Sequence, residues 1–216
     1  MKRSAIVLAG GFSNRFGQDK GLLRLGDRPL ILHILDSISP IVDEVLIVVN
    51  SVGRKRDYVN LDPTAEIVID RYKIQSPVVG TLTGFESAKG EYSLLLPCDT
   101  PFVSPKVAEL LLDACIGSDA AIPKWSGGHI EPLQAAYHTR SALTASKKAL
   151  RGEKSSMHLV ISYLKKICYL PTSSFRQIDP QLMTFFNINS PEDMVKAERV
   201  LQTNIQRRSK SAQQLV

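Results

Sequence analysis

Short apolar runs alternate with amphipathic stretches along most of the chain. Residues 5–9, 44–49, 65–69 and 92–96 are rich in Val, Ile and Leu and stop at Gly, Asn, Asp or Pro, which predicts strands buried on both faces of a parallel sheet. Between them, residues 29–38 place Leu30, His33, Ile34 and Ser37 along one side, with Pro29 suited to a first helical turn. Ser104-Pro105 repeats that signal ahead of Val107, Leu110, Leu111 and Ala114 at helical spacing, and 79–84 opens another helix. The second half predicts strands at 120–123, 133–137, 167–170 and 184–188 and helices at 141–150 and 156–165. Ser190-Pro191-Glu192-Asp193 opens a last helix with a hydroxyl cap, a proline and early acids. Alternation of strand and helix implies right-handed crossovers, so the expected fold is α/β: a single-domain, doubly wound, mostly parallel sheet of Rossmann-like type. Residues 1–202 form that domain, and the polar stretch 203–216 is expected to be a mobile basic tail.

A chain of 216 residues, 44% apolar, is long enough for one full core. The net charge of +6 hints at nucleic acid, but Arg207, Arg208 and Lys210 in the acid-free tail supply half of it. No dense basic run interleaves with aromatics, so neither nucleic acid nor a membrane is an expected partner. Three widely spaced cysteines form no CxxC pair, which argues against a disulfide framework or a zinc knuckle. The apolar run near the N-terminus is too short for a signal core or a membrane span, so the expected location is the cytoplasm.

Ligands of open α/β sheets bind beyond the C-terminal ends of the strands, and four loops there carry unusual residues. The first runs from Gly10-Gly11 through Arg15 to Asp19-Lys20. Paired glycines let backbone N–H groups approach an anion, Arg15 can grip phosphate oxygens in a fork, and Lys20 adds a point charge. The loop has neither Walker A nor GxGxxG spacing, and a glycine turn with two solvated cations is the alternative to a phosphate site. The second is Pro97-Cys98-Asp99-Thr100-Pro101, where Asp99 can ligate Mg²⁺ together with substrate phosphates; a plain turn before proline is the alternative. Asp70 ends the third strand, and 79–84 offers small residues against which a nucleotide can lie.

These residues resemble the molybdenum cofactor guanylyltransferases. The resemblance rests on Leu8-Ala9-Gly10-Gly11, Arg15, Gly17, Asp19-Lys20, Asp70, Gly80, Gly84 and Cys98-Asp99-Thr100-Pro101. It extends to Glu131-Pro132-Leu133 with Tyr137, and to Asn187-Ile188-Asn189-Ser190-Pro191-Glu192-Asp193. Phe16 stands where the signature usually has methionine, and Gly80-Thr81-Leu82-Thr83-Gly84 where it has Gly-Pro-Leu-Ala-Gly. The resemblance implies Mg²⁺-dependent transfer of GMP from GTP to molybdopterin carrying molybdenum, with release of diphosphate. It implies that Leu8, Ala9, Gly10, Gly11, Asn50 and Asp70 contact the nucleotide, that Lys20 and Arg15 act on its phosphates, and that Asp99 holds the metal. Asn187 and Asn189 read as lining the acceptor or the metal side, and Asn189 equally suits helix entry before Ser190-Pro191. Guanylyl members typically carry Gly-Gly at 10–11 and cytidylyl relatives Ala-Gly. Transient contact with other cofactor-biosynthesis proteins or with molybdoenzymes belongs to the same expectation.

The competing functions are a transferase using CTP or a sugar-phosphate acceptor, and a non-catalytic GTP- and pterin-binding adaptor. His33 reads as a packed, hydrogen-bonded side chain, and Cys98 as a buried thiol with no general base beside it. Residues 125–129 (Trp-Ser-Gly-Gly-His) read as a surface turn or a loop over the acceptor.

Overall fold

A computed structural model describes residues 1–9, 12–13, 16–61, 64–70, 72, 76–151 and 156–213. The apolar runs form the strands β1 (Arg3–Leu8), β2 (Glu44–Val49), β3 (Glu66–Ile69), β4 (Tyr92–Pro97), β5 (Ala120–Lys124), β6 (Ala135–His138) and β7 (Ile167–Pro171), joined in one sheet. Their order across it is β3-β2-β1-β4-β6-β5-β7. Ile6 of β1 pairs in parallel with Leu46 on one side and Leu95 on the other. β6 alone runs antiparallel, Ala136 facing Leu94 of β4 and Ala121 of β5, while β7 returns parallel to β5. The doubly wound, mostly parallel α/β sheet expected from the pattern is the fold observed.

Alternate strand residues serve two cores, because successive side chains point to opposite faces. Ala5, Val7, Ile47, Val49, Leu94 and Leu96 pack with α1 (Leu30–Ile38), with Tyr58 of α2 (Val52–Val59) and with Val107 and Leu111 of α4 (Pro105–Cys115). Ile6, Leu46, Val48, Leu95, Ala135 and Tyr137 pack against α3 (Pro77–Ser87), α5 (Thr139–Ala149) and α6 (Met157–Ser162). A third cluster of Leu23, Leu25, Leu30, Ile188 and Ala197 lies where α7 (Pro191–Gln213) docks on the small ribbon formed by residues 24–29. Ser76 accepts from the Val79 N–H to cap α3, with Pro77 in its first turn.

The structure departs from the pattern in five places. Residues 184–188 do not form a strand: a single 3₁₀ turn (Met183–Phe185) precedes an extended segment. Its apolar residues fill two different clusters, Phe185 the first and Ile188 the third, so the run is apolar without belonging to the sheet. The helix expected over 141–150 starts at Thr139 because the His138 ring caps it through Ser141, and the one expected over 156–165 stops at Ser162. α2 was not foreshadowed. α7 carries helical backbone through Gln213, into the stretch read as a tail. Among the described residues, no helix is long and apolar enough to cross a membrane.

Candidate active site

The carboxyl edge of the sheet brings β1, β4 and the segment before α7 together. Past the end of β1, the Ala9 N–H donates to Val48 O (2.8 Å). Past the end of β4, the Cys98 N–H donates to Leu8 O (3.1 Å), which keeps Asp99 beside the exit of β1. The Asp99 carbonyl then accepts from the Ile188 N–H (2.9 Å), drawing in the segment before α7.

Lys20 starts a one-turn 3₁₀ helix (Lys20–Leu22) after a two-residue ribbon whose turn needs Gly17 at a φ of +65°. Its ammonium donates to Asp99 Oδ2 (2.7 Å) and to Asn189 Oδ1 (2.6 Å). Asp99 is 8% exposed. Its other oxygen, Oδ1, is buried with no hydrogen-bond partner among the described residues. A buried carboxylate oxygen left unpaired is costly, and it suits a hard cation with oxygen preference. Among the described residues, no group of three or more His, Cys, Asp or Glu side chains is gathered for a metal.

Asn189 is set by the start of α7. The N–H groups of Asn189 and Ser190 and the Ser190 hydroxyl all donate to Asp193 Oδ2, and the Asp193 N–H donates back to Ser190 Oγ. This reciprocal cap holds the Asp193 carboxyl below the usual carboxylate range: burial pushes it up, but the hydrogen bonds from Asn189 and Ser190 outweigh that. Asn187 turns away, its amide donating to Phe185 O (3.2 Å). The expected acceptor pair is thus split, with Asn189 on the lysine and Asn187 on local backbone.

The remaining predicted residues lie further along the edge. Asp70 continues the ladder through its N–H to Val49 O, and its Oδ1 accepts from the Tyr72 N–H (3.1 Å) and the Thr83 hydroxyl (3.0 Å). β1 and β2 stand between its strand and that of Asp99, about 14 Å across at ordinary strand spacing, so the two carboxylates do not share one ion. Asn50 follows β2 directly. Leu8 ends β1, and Ala9 is fully buried. Gly10, Gly11 and Arg15 lie outside the described residues. The small residues at 80–84 have a packing role: a Cβ on Gly84 would stand 2.4 Å from Ile6 Cγ2, and one on Gly80 would touch Leu8 at 3.5 Å. They let α3 approach β1.

Cys98 is buried, and burial first, then the Asp99 and Asp19 charges, push its thiol well above the usual range, so it stays a neutral packing group. His33 lies 3.1 Å from Leu25 O through Nε2. Residues 125–129 form the turn joining β5 to β6, closed by the Trp125 N–H to His129 O bond, and the indole donates to Glu131. Two residues that the sequence pattern did not single out, Arg54 and Tyr58 of α2, meet Asp19 at the base of Lys20; Asp19 was named with Lys20 in the first loop but given no role, and its carboxylate caps the 3₁₀ turn. The one signal for their helix was Ser51, which caps it through the Arg54 N–H.

Residues 5–166 match the MobA-like NTP transferase domain. The chain is 33% identical over 199 residues to a probable molybdenum cofactor guanylyltransferase of Methanosarcina acetivorans, covering 89% of this chain and 88% of that one. It is 34% identical over 206 residues to another of that name from Natranaerobius thermophilus, covering 92% and 96%. Among solved structures, molybdopterin-guanine dinucleotide biosynthesis protein A of Archaeoglobus fulgidus superposes with a TM-score of 0.80 at 28% identity, over 93% of this chain and 99% of that one. The 2-C-methyl-D-erythritol 4-phosphate cytidylyltransferase of Thermus thermophilus shares the fold, with a TM-score of 0.68 at 21% identity over 94% and 100%. With its sheet order, its edge-bound lysine and carboxylate and these relatives, the chain belongs to the MobA-like NTP transferase family and is a nucleotidyltransferase.

Proposed function

We propose that this chain transfers GMP from GTP to molybdenum-bearing molybdopterin, giving the guanine dinucleotide cofactor and diphosphate, with Mg²⁺ as cofactor. The observation that carries the reading is the ammonium of Lys20 set between Asp99 and Asn189, in a chain whose relatives bear guanylyltransferase names. Three cysteines without a disulfide support a cytoplasmic setting, and transient contact with other cofactor-biosynthesis proteins or molybdoenzymes would hand the product on.

An oxygen of the acceptor's terminal phosphate attacks the α-phosphorus of GTP. The bond from that phosphorus to the bridging oxygen breaks, and its electron pair leaves on diphosphate. The nucleophile is already an anion, so no covalent enzyme intermediate is required, and catalysis reduces to alignment and charge stabilisation. Lys20, with Arg15, neutralises the departing phosphates. Asn189 keeps the ammonium aimed along the edge, and Leu8, Ala9, Gly10 and Gly11 give the nucleotide a close backbone surface. Asn50 and Asp70 serve the nucleoside side. Asp99, with its buried Oδ1, would hold Mg²⁺, which would supply Lewis-acid neutralisation of the phosphate oxygens.

The test is to mix purified protein with Mg²⁺, molybdenum-loaded molybdopterin and GTP, CTP or ATP in turn, and to follow diphosphate and dinucleotide by chromatography. GTP-dependent dinucleotide supports the reading. A preference for CTP, or turnover with a sugar phosphate only, overturns it. GTP binding without diphosphate release makes the protein an adaptor.

A further inference from the structure

Lys20 sits in a single 3₁₀ turn and is not anchored by a strand or a long helix. The fixed point beside it is Asp19, whose carboxylate is 8% exposed. Asp19 Oδ1 accepts from the Gly21 N–H (3.0 Å) and from the Tyr58 hydroxyl (2.7 Å). Oδ2 lies 3.1 Å from Arg54 Nη1, near enough for an ion pair though outside hydrogen-bond geometry. The same guanidinium reaches the Ala9 carbonyl at 3.5 Å, so it touches both ends of the loop that runs from β1 to Lys20. Tyr58 is fully buried, and its hydroxyl fits so closely under Gly21 that a Cβ there would stand 2.3 Å from it. Both neighbours of Lys20 in the chain are therefore gripped from α2, the crossover helix of the adjacent strand.

We propose that Tyr58, acting through Asp19, is a positioning residue that sets where the Lys20 ammonium stands at the carboxyl edge. A purely architectural tie would not need a carboxylate, since burying one costs more than burying its amide. Burial raises the Asp19 carboxyl, Asp57 on α2 adds to that, and the Tyr58 hydroxyl is the largest opposing influence, ahead of Arg54 and the Gly21 N–H. Removing the hydroxyl loosens the turn that carries Lys20, and a displacement near 1 Å is enough to cost on the order of 100-fold in rate. The catalytic consequence rests on the phosphate role proposed for Lys20; the positional claim does not.

The experiment compares wild type, Tyr58→Phe and Lys20→Gln. Acylation of Lys20 by an N-hydroxysuccinimide ester, read by peptide mass spectrometry against the exposed Lys147, reports its position without turnover. Diphosphate release reports kcat. In Tyr58→Phe, Lys20 labelling rises several-fold while Lys147 is unchanged, and kcat falls roughly 10-fold or more with the melting temperature within a few degrees of wild type. Unchanged Lys20 labelling overturns the inference, as does a rise shared equally by Lys147. If Lys20→Gln turns over normally while the labelling result holds, the phosphate reading fails and the positioning inference stands. If Tyr58→Phe does not fold, Asp19→Asn, which keeps the side-chain shape, takes its place with the same expected outcomes.

Discussion

Lys20 and Asp99 form an ion pair of 2.7 Å between residues that are each expected to engage a different part of one substrate. The ammonium neutralises the carboxylate, which must otherwise carry its charge largely out of water. On the proposed mechanism, nucleotide and metal together would replace that arrangement, the phosphates taking the lysine and the cation the carboxylate. GTP with Mg²⁺ at 100 times its dissociation constant therefore adds about 2.7 kcal/mol, a rise of roughly 5–10 °C in melting temperature for a domain of this size. In Asp99→Asn the increment due to Mg²⁺ disappears, and turnover in Asp99→Ala or Lys20→Ala drops by at least about 100-fold while the fold persists. Undiminished activity of either alanine variant removes both residues from the mechanism.

Gly84 tests how closely α3 must sit on β1. An added Cβ meets Ile6 Cγ2 at 2.4 Å, so Gly84→Ala costs about 2 kcal/mol of folding stability, measured by urea titration. Ile6→Ala opens a cavity and is destabilising alone, but the double variant loses less than the sum of the two. Strict additivity in that cycle would show that the two positions do not touch.

Ser146 predicts a gain. It is fully buried on α5, and its hydroxyl has no hydrogen-bond partner among the described residues. Ser146→Ala removes an unsatisfied polar group and improves helix propensity, raising stability by about 1 kcal/mol. A lower melting temperature in the variant would show that the hydroxyl is paired in solution.

Asp119 supplies a pH dependence. Its carboxyl is held below the usual carboxylate range, chiefly by the Ser141 hydroxyl and also by the Lys166 and Lys165 N–H groups, against a burial effect that pushes it up. These bonds join the start of β5 to the start of β7. A lowered folded-state pKa gives a contribution fully present above the unfolded value and lost as pH falls through the folded one. Asp119→Asn is therefore less stable than wild type at neutral pH, and the gap closes as pH drops below the ordinary Asp range. A gap that stays constant across that window excludes the carboxylate as its source.

The central strands were readable because parallel strands buried on both faces are continuously apolar; the run 44–49 became β2 without change. The direction of β6 was not readable, since Ala135-Ala136-Tyr137 is equally apolar in either orientation. α2 went unseen because Arg54, Lys55, Arg56 and Asp57 give it no apolar stripe, and Tyr58 alone buries fully. Residues 184–188 misled because Phe185, Phe186 and Ile188 are core residues supplied by an irregular segment. The meeting of Lys20 with Asp99 was legible from the rule that strand ends share an edge. Asp19, Arg54 and Tyr58 were not, because a buried acid, cation and phenol become a unit only when a helix of unremarkable sequence brings them together.

The Lys20 ammonium is bonded across 79 residues of chain to Asp99 and across 169 to Asn189. Contacts of such span form late, since loop closure must precede them. A chain still emerging from the ribosome holds the glycine-rich loop and the carboxylate long before the asparagine and the cap of α7 exist. The Lys20–Asn189 bond therefore waits for the start of the last helix, and an interrupted translation product lacks that tie.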